Sequence, residues 1–392
     1  MVRLALARRQ LVIAAAVAAT FGGMAAAAPS AEAATQLTAS NFRLQKTADS
    51  PVIAGLDALL PNVSVPTVVG DGNRVATRCT PSASNVVIGF CWNSGDAGTT
   101  EWYPQSVTTT ADAYTEGTYE GSTAVVASWY DAADDSIDKG VRLSFVDWSN
   151  TSAPTYRHVL LVEPYTDSAG RPNFRSVNVH AGGMFWYGYY LYVADTSNGF
   201  RVFDMRHLWQ VTTGSETLIG RQSDGTYQAF NYKYVLPQAF RYMRSTSGGY
   251  ANLRFSFASL DRTSTPDSVI VGEYANPGSG TRLVRFPIDY TNRLLTTSSD
   301  GYAHGTQAYQ VDVTSMQGAV SINNKYFLST SDGASNKGDL GEFTPGGSVA
   351  MNTDVLAIGP EDFSYWADRD QVWTVSEHPG QRNVYAFRAS AY

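Results

Sequence analysis

The chain has 392 residues, 43% of them hydrophobic and 16% charged, with 8 Trp, 23 Tyr and 17 Phe, enough apolar material for a full core, which excludes a disordered chain or a stapled mini-protein. A formal charge of −7 with no Lys/Arg block excludes a conventional nucleic-acid binder.

Residues 1–33 read as an address. Arg3, Arg8 and Arg9 precede an Ala-rich apolar run from Leu11 to Ala28, and Ala31-Glu32-Ala33 has the small-x-small form of a cleavage site. This pattern predicts a secretory signal cut near Ala33, and the Arg8-Arg9 pair has the form of a twin-arginine signal. The run is weakly hydrophobic and broken by Gly22 and Gly23, which argues against a membrane anchor. Removal of the leader leaves 25 basic and 34 acidic residues, an acidic extracellular protein without a membrane segment, expected as a monomer and as a single domain over 34–392. The only cysteines, Cys79 and Cys91, suit a disulfide in an oxidising compartment. Two cysteines without a third ligand make a poor zinc site.

Beyond residue 100 the chain is a series of short runs rich in Val, Ile, Tyr, Phe and Trp, broken by Gly, Asn, Asp, Ser and Pro, so the fold class is all-β. One feature recurs five times: an apolar residue or Pro, a polar residue, then a small or acidic one. The copies are Pro104-Gln105-Ser106, Val179-His180-Ala181, Pro237-Gln238-Ala239, Met316-Gln317-Gly318 and Pro360-Glu361-Asp362. Each leads into a strand, a turn and a second strand ending in a carboxylate: Asp131, Asp195, Asp261, Asp332 and Glu377. Repeated antiparallel units that cannot bury their faces alone predict a β-propeller of five blades. A strand from residues 36–60 is expected to close the ring. Residues 61–100, with NVVIGFCW, hold enough strand signal to make six blades the main alternative, and a β-sandwich is the other.

With the first strand of each blade innermost, Gln105, His180, Gln238, Gln317 and Glu361 are expected to ring the mouth of the axial channel, with the five carboxylates just outside. Repeated carboxylates also serve as turn formers, so the copies that depart from Gln are the more informative. His180 and the Glu361-Asp362 pair can move protons. The fifth copy adds Glu377, His378 and Arg382, and Glu361 with Asp362 is also a candidate calcium site. His304 is expected near the mouth, whereas His158 and His207 are expected to be packing or surface residues. Trp186 and Tyr187, near His180, offer faces on which sugar rings pack.

The Ala-rich leader with Arg8-Arg9 and the blade pattern resemble secreted actinobacterial β-propeller proteins, and the outline is similar to five-bladed carbohydrate-active propellers. That resemblance implies an extracellular glycoside hydrolase or polysaccharide lyase acting on a poly- or oligosaccharide at the axial mouth. In it, His180, Glu361 and Glu377 are catalytic, and Gln105, Asp195, Gln238, Gln317, Asp362, Trp186 and Tyr187 contact substrate. Arg382 holds a sugar carboxylate if the protein is a lyase. A lectin-like or cation-binding propeller and a scaffold for a protein partner are the alternatives.

Overall fold

The computed structural model describes residues 33–132, 137–275 and 280–392. The leader lies outside these residues except for Ala33, which forms an isolated bridge with Ser348.

Five antiparallel blades surround an axis, the outer strands of the first two joined by parallel pairing of Val159–Val162 with Tyr234–Pro237, and in the first four blades the chain runs from the inside outward. Blade 1 comprises Trp102–Thr109, Ala124–Asp131, Val141–Asp147 and Thr155–Thr166. Blade 2 comprises Met184–Tyr187, Tyr190–Asp195, Gly199–Asp204 and Tyr234–Thr246, with Phe42–Lys46 added outside. Blade 3 comprises Phe257–Asp261, Ser268–Gly272, Arg282–Asp289 and Gln307–Gln310, with Thr35–Gln36 at its edge. Blade 4 comprises Met316–Ile322, Lys325–Thr330, Asp339–Phe343 and Ala350–Asn352.

Blade 5 uses both ends of the domain. Ser364–Trp366, Gln371–Val375 and Asn383–Arg388 are completed by Val86–Cys91. The expectation that residues 36–60 close the ring is therefore corrected: Phe42–Lys46 pairs on the outside of blade 2, and NVVIGFC supplies the closing strand instead of a sixth blade. The Cys79–Cys91 disulfide joins this strand to Thr77–Arg78 beside it.

The middle strands are apolar along their whole length because each blade is covered on both faces by its neighbours; Val125, Val126, Ala127 and Trp129 are all fully buried. Hydroxyls tie one blade to the next. Ser106 and Ser128 donate to the Ala181 carbonyl at 3.2 and 3.0 Å, and Ser329 donates to the Glu361 carbonyl at 3.2 Å. Inner strands approach closely at the axis, where a Cβ on Gly183 would lie 2.1 Å from the Ala258 nitrogen. Turn chemistry sets the hairpins: Gly188, at φ +60, opens a two-residue turn between Tyr187 and Tyr190, as a II′ turn requires.

The repeat holds in four blades and slips in the third. Gln238 lies in Tyr234–Thr246, the outer strand of blade 2, where its Oε1 accepts from Arg201 at 2.8 Å; it is not at the mouth. The inner strand of blade 3 is Phe257–Asp261, so Asp261 sits at the opposite end of the ring, bonded to Arg285 at 2.6 Å and capping the turn at Thr263. His304 is likewise outside the mouth, paired with Asp300 at 2.8 Å on a short strand against Arg43.

Candidate active site

In blades 1 and 4 the polar residue of the repeat is a β-bulge. Strand pairing skips Gln105 between Pro104 and Ser106, and skips Gln317 between Met316 and Gly318. A bulge re-aims a side chain out of the pleat, and both amides turn toward blade 5, which lies between blades 1 and 4. Gln105 Nε2 donates to Glu377 Oε2 at 3.2 Å, and Gln317 Nε2 donates to Glu361 Oε1 at 3.0 Å. Flanking blades thus clamp one carboxyl each.

The two carboxyls so held are in hydrogen-bonding contact, and burial, reinforced by Glu377 and Asp362, pushes Glu361 well above the usual carboxylate range. Glu361 is 2% exposed. A carboxyl that is desolvated and faces other carboxyls favours its neutral form, so Glu361 holds its proton. Glutamine is the fitting clamp, since its amide donates without adding the cation that would pull the proton off.

Tyr130, at the end of the second strand of blade 1, joins this pair to His180. Its ring stacks on the imidazole at 4.5 Å between centroids. Its phenol is raised by burial and by the nearby Glu377, Tyr103 and Glu361. His180 keeps solvent access at the mouth, and desolvation by the surrounding walls lowers its pKa, which keeps the imidazole neutral. His378 Nε2 stands 3.5 Å from Glu377 Oε1. The mouth therefore presents a protonated acid, a neutral base and a phenol between them.

Arg382 is a strut. It is 2% exposed and donates to the carbonyls of Glu377, Asp96 and Thr99 at 2.7, 3.0 and 2.7 Å, with its guanidinium over the Tyr103 ring. Burial brings its pKa down to about 10. Its Nη2 has no hydrogen-bond partner among the described residues but is buried, so it offers no solvent-facing donor to a sugar carboxylate. Asp195 is also engaged, accepting from Arg201, Arg241 and Asn198 at 3.1, 2.9 and 2.8 Å. Asp131 accepts from the Lys139 amide, and Asp332 is exposed.

Asp362 points away from Glu361, across the axis, where Oδ2 accepts from the Met184 amide of blade 2 at 3.0 Å. Burial pushes it well above the usual range. The two carboxyls of the expected calcium site thus diverge, and among the described residues no group of three or more His, Cys, Asp or Glu side chains converges as a metal site. Trp186 and Tyr187 are corrected from substrate platforms to core: both are fully buried, and the Tyr187 hydroxyl donates to Asp267 at 2.7 Å.

Two parts of the centre lie outside the residues the repeat singles out. Tyr130 immediately precedes a carboxylate of the repeat and could have been found by asking what the second strand presents beside it. Asp112 lies on the axis below the mouth, accepting from Thr108 at 2.5 Å and Ser364 at 2.8 Å; burial raises it to about 6.

No protein-family model and no curated protein matches the sequence. Among solved structures, the GH43_1 enzyme from Xanthomonas citri complexed with xylose aligns over 86% of this chain and 92% of its own, at 10% identity and a TM-score of 0.32. CoXyl43, a GH43 beta-xylosidase/alpha-arabinofuranosidase from a compost metagenome, aligns over 78% and 94%, at 10% identity and a TM-score of 0.33. Drosophila Plexin A in complex with Semaphorin 1b covers 88% of each chain at 8% identity and a TM-score of 0.26. At these scores the likenesses carry no argument about chemistry.

Proposed function

We propose that this protein is an exported carbohydrate-active hydrolase whose acid is the Glu361–Glu377 pair at the axial mouth. The observation that carries this reading is the proton held on Glu361 by burial and by contact with Glu377, since glycosidic cleavage needs a carboxyl that is still an acid near neutral pH.

Contact between the two carboxyls is closer than the roughly 5–5.5 Å of retaining or 6.5–9.5 Å of inverting carboxylate pairs, so they act as one unit. Glu361 delivers the proton to the leaving oxygen, and Glu377 stabilises the charge that develops. His180, neutral and solvent-accessible, takes a proton from the attacking water. Tyr130 offers its ring and hydroxyl to the sugar between them. The lyase alternative loses ground because a uronate carboxylate at this mouth meets two glutamates, while Arg382 is occupied by backbone carbonyls. A lectin with equivalent pockets is disfavoured because the mouth presents Gln105, His180, Gln317 and Glu361 from four blades, and no two adjacent blades repeat the same set.

The test is release of reducing ends from neutral oligosaccharides, xylotriose among them. Glu361→Gln should lower the rate by about 10²–10⁴-fold with an unchanged fold. Activity should fall as pH rises through the raised Glu361 value, because the acid is lost. It should also fall on acidification through the lowered His180 value, because the base is lost. Full activity in Glu361→Gln overturns the reading.

A further inference from the structure

A cleft of about 530 Å³ opens away from the axis, over blade 1 and the segment that enters it. Five permanent cations line it, Arg74, Lys139, Arg142, Arg157 and Lys233, in a protein whose formal charge is −7. Such a concentration needs an account, because like charges in one concavity repel.

The counter-charge inside is shared out thinly. Arg142 and Arg74 both rest on Asp96, at 2.7 and 3.3 Å. Lys233 and Arg157 both rest on Asp71, at 2.9 and 3.7 Å. Four cations thus have two carboxylates between them, while Lys139 has Glu101 to itself. Glu216 is exposed at the rim and has no cation within salt-bridge distance among the described residues. His158 adds no charge, since burial and Arg142 push it down to about 3.

The cations are also held in place. Arg142, 5% exposed, is stacked on Trp102 at 4.5 Å and on Trp129 at 4.8 Å, and its buried Nε has no hydrogen-bond partner. Arg157 and Lys233 flank the Tyr234 ring at 5.5 and 5.1 Å. Half-buried Tyr232 lines the same cleft with the buried rings of Trp102 and Phe230 behind it, giving an aromatic wall beside fixed guanidinium groups. Charge excess, fixed geometry and aromatic faces together describe a receptor for a ring that carries an anion.

We propose that this cleft is a second saccharide site, which takes a sugar residue bearing an anionic group, a carboxylate or a sulfate ester. Arg382 connects it to the mouth, since the same guanidinium bonds the carbonyls of Asp96 and Thr99 on the cleft and of Glu377 in the acid pair. The cleft extends the reading of the mouth without depending on it, because binding can be measured in the absence of turnover.

Calorimetric titration of the purified domain with trigalacturonate, a sulfated trisaccharide, inorganic sulfate and xylotriose tests this directly. Arg74 and Lys233 lie on different walls and their side chains are about one-third exposed, 33% and 32%, so Arg74→Glu with Lys233→Glu tests charge without emptying the core. The expected result is one anionic saccharide per chain, weakened at least tenfold in the double variant and weakened by salt, with xylotriose unaffected by either change. Binding of the sulfated probe alone, or of trigalacturonate alone, identifies the anion and supports the site. Failure of both anionic saccharides to bind overturns it, as does unchanged affinity in the double variant, or inorganic sulfate binding as tightly as the saccharides.

Discussion

Two buried acidic centres lie within one blade's width of each other, and they hold opposite charge states. At the mouth, Glu361 has only an amide and other carboxyls as polar neighbours, so burial wins and the proton stays. In the cleft, Asp96 is also buried, yet hydrogen bonds from His158 and Tyr156 and the charge of Arg142 hold it well below the usual carboxylate range. The neutral His158 donates through Nε2, while its Nδ1 meets the Ser144 hydroxyl, which in turn accepts from Trp129. Burial alone does not set the state of an acid; the identity of the donor does. The amide of Gln317 leaves Glu361 its proton, whereas His158, Tyr156 and Arg142 together hold Asp96 ionised.

The contrast can be broken most severely at Asp96. Asp96→Ala leaves Arg142 buried with no counter-ion, and a loss of about 3–5 kcal/mol is expected in urea unfolding. Next comes Asp112, whose pKa of about 6 in the fold lies above the ordinary aspartate value of 3.8. The folded state binds the extra proton between these values, so this group's contribution is greatest below the lower value and is lost as pH rises through the upper one. The cost reaches about 3 kcal/mol at neutral pH. Asp112→Asn should remove that slope from a plot of unfolding midpoint against pH and leave the protein more stable at pH 7.

A smaller effect is expected of Glu361→Gln on stability, because the wild-type side chain is already neutral. Below the raised pKa the change should stay under about 1 kcal/mol, which separates the proposed role in turnover from any role in folding. Arg74→Ala should cost least, under about 1 kcal/mol, since its side chain is 33% exposed and Arg142 remains on Asp96. Thermal melts of the last two variants, set beside that of Asp96→Ala, would show whether partner identity or burial governs the centre.

The ring of blades was legible because an apolar, polar, small triplet recurs in sequence, and because middle strands covered on both faces read as unbroken apolar runs. Blade 3 escaped for a definite reason: its inner strand begins at Phe257 with no polar bulge residue, while Pro237-Gln238-Ala239 in a long outer strand of blade 2 imitates one. The closing strand could not be placed because a pairing such as Cys91 with Asn383 leaves no local trace. His180 and Glu361 stood out as departures from the repeat, and Glu377 through its place in the cluster of the fifth copy. Their relation to Tyr130, and the Asp96 and Asp112 networks, depend on contacts between residues such as Asp112 and Ser364, which sequence spacing does not reveal.

The manner in which the ring closes also sets a timetable. Both glutamates of the acid pair belong to the blade whose outer strand, Val86–Cys91, is made early and whose inner three strands are made last. During synthesis that early strand has an unpaired edge until Asn383–Arg388 arrives, and pairing over so long a separation is intrinsically slow. The Gln105 and Gln317 clamps exist before the acids they hold. The Glu361–Glu377 contact therefore depends on a blade that only the long-range pairing of Val86–Cys91 with Asn383–Arg388 completes.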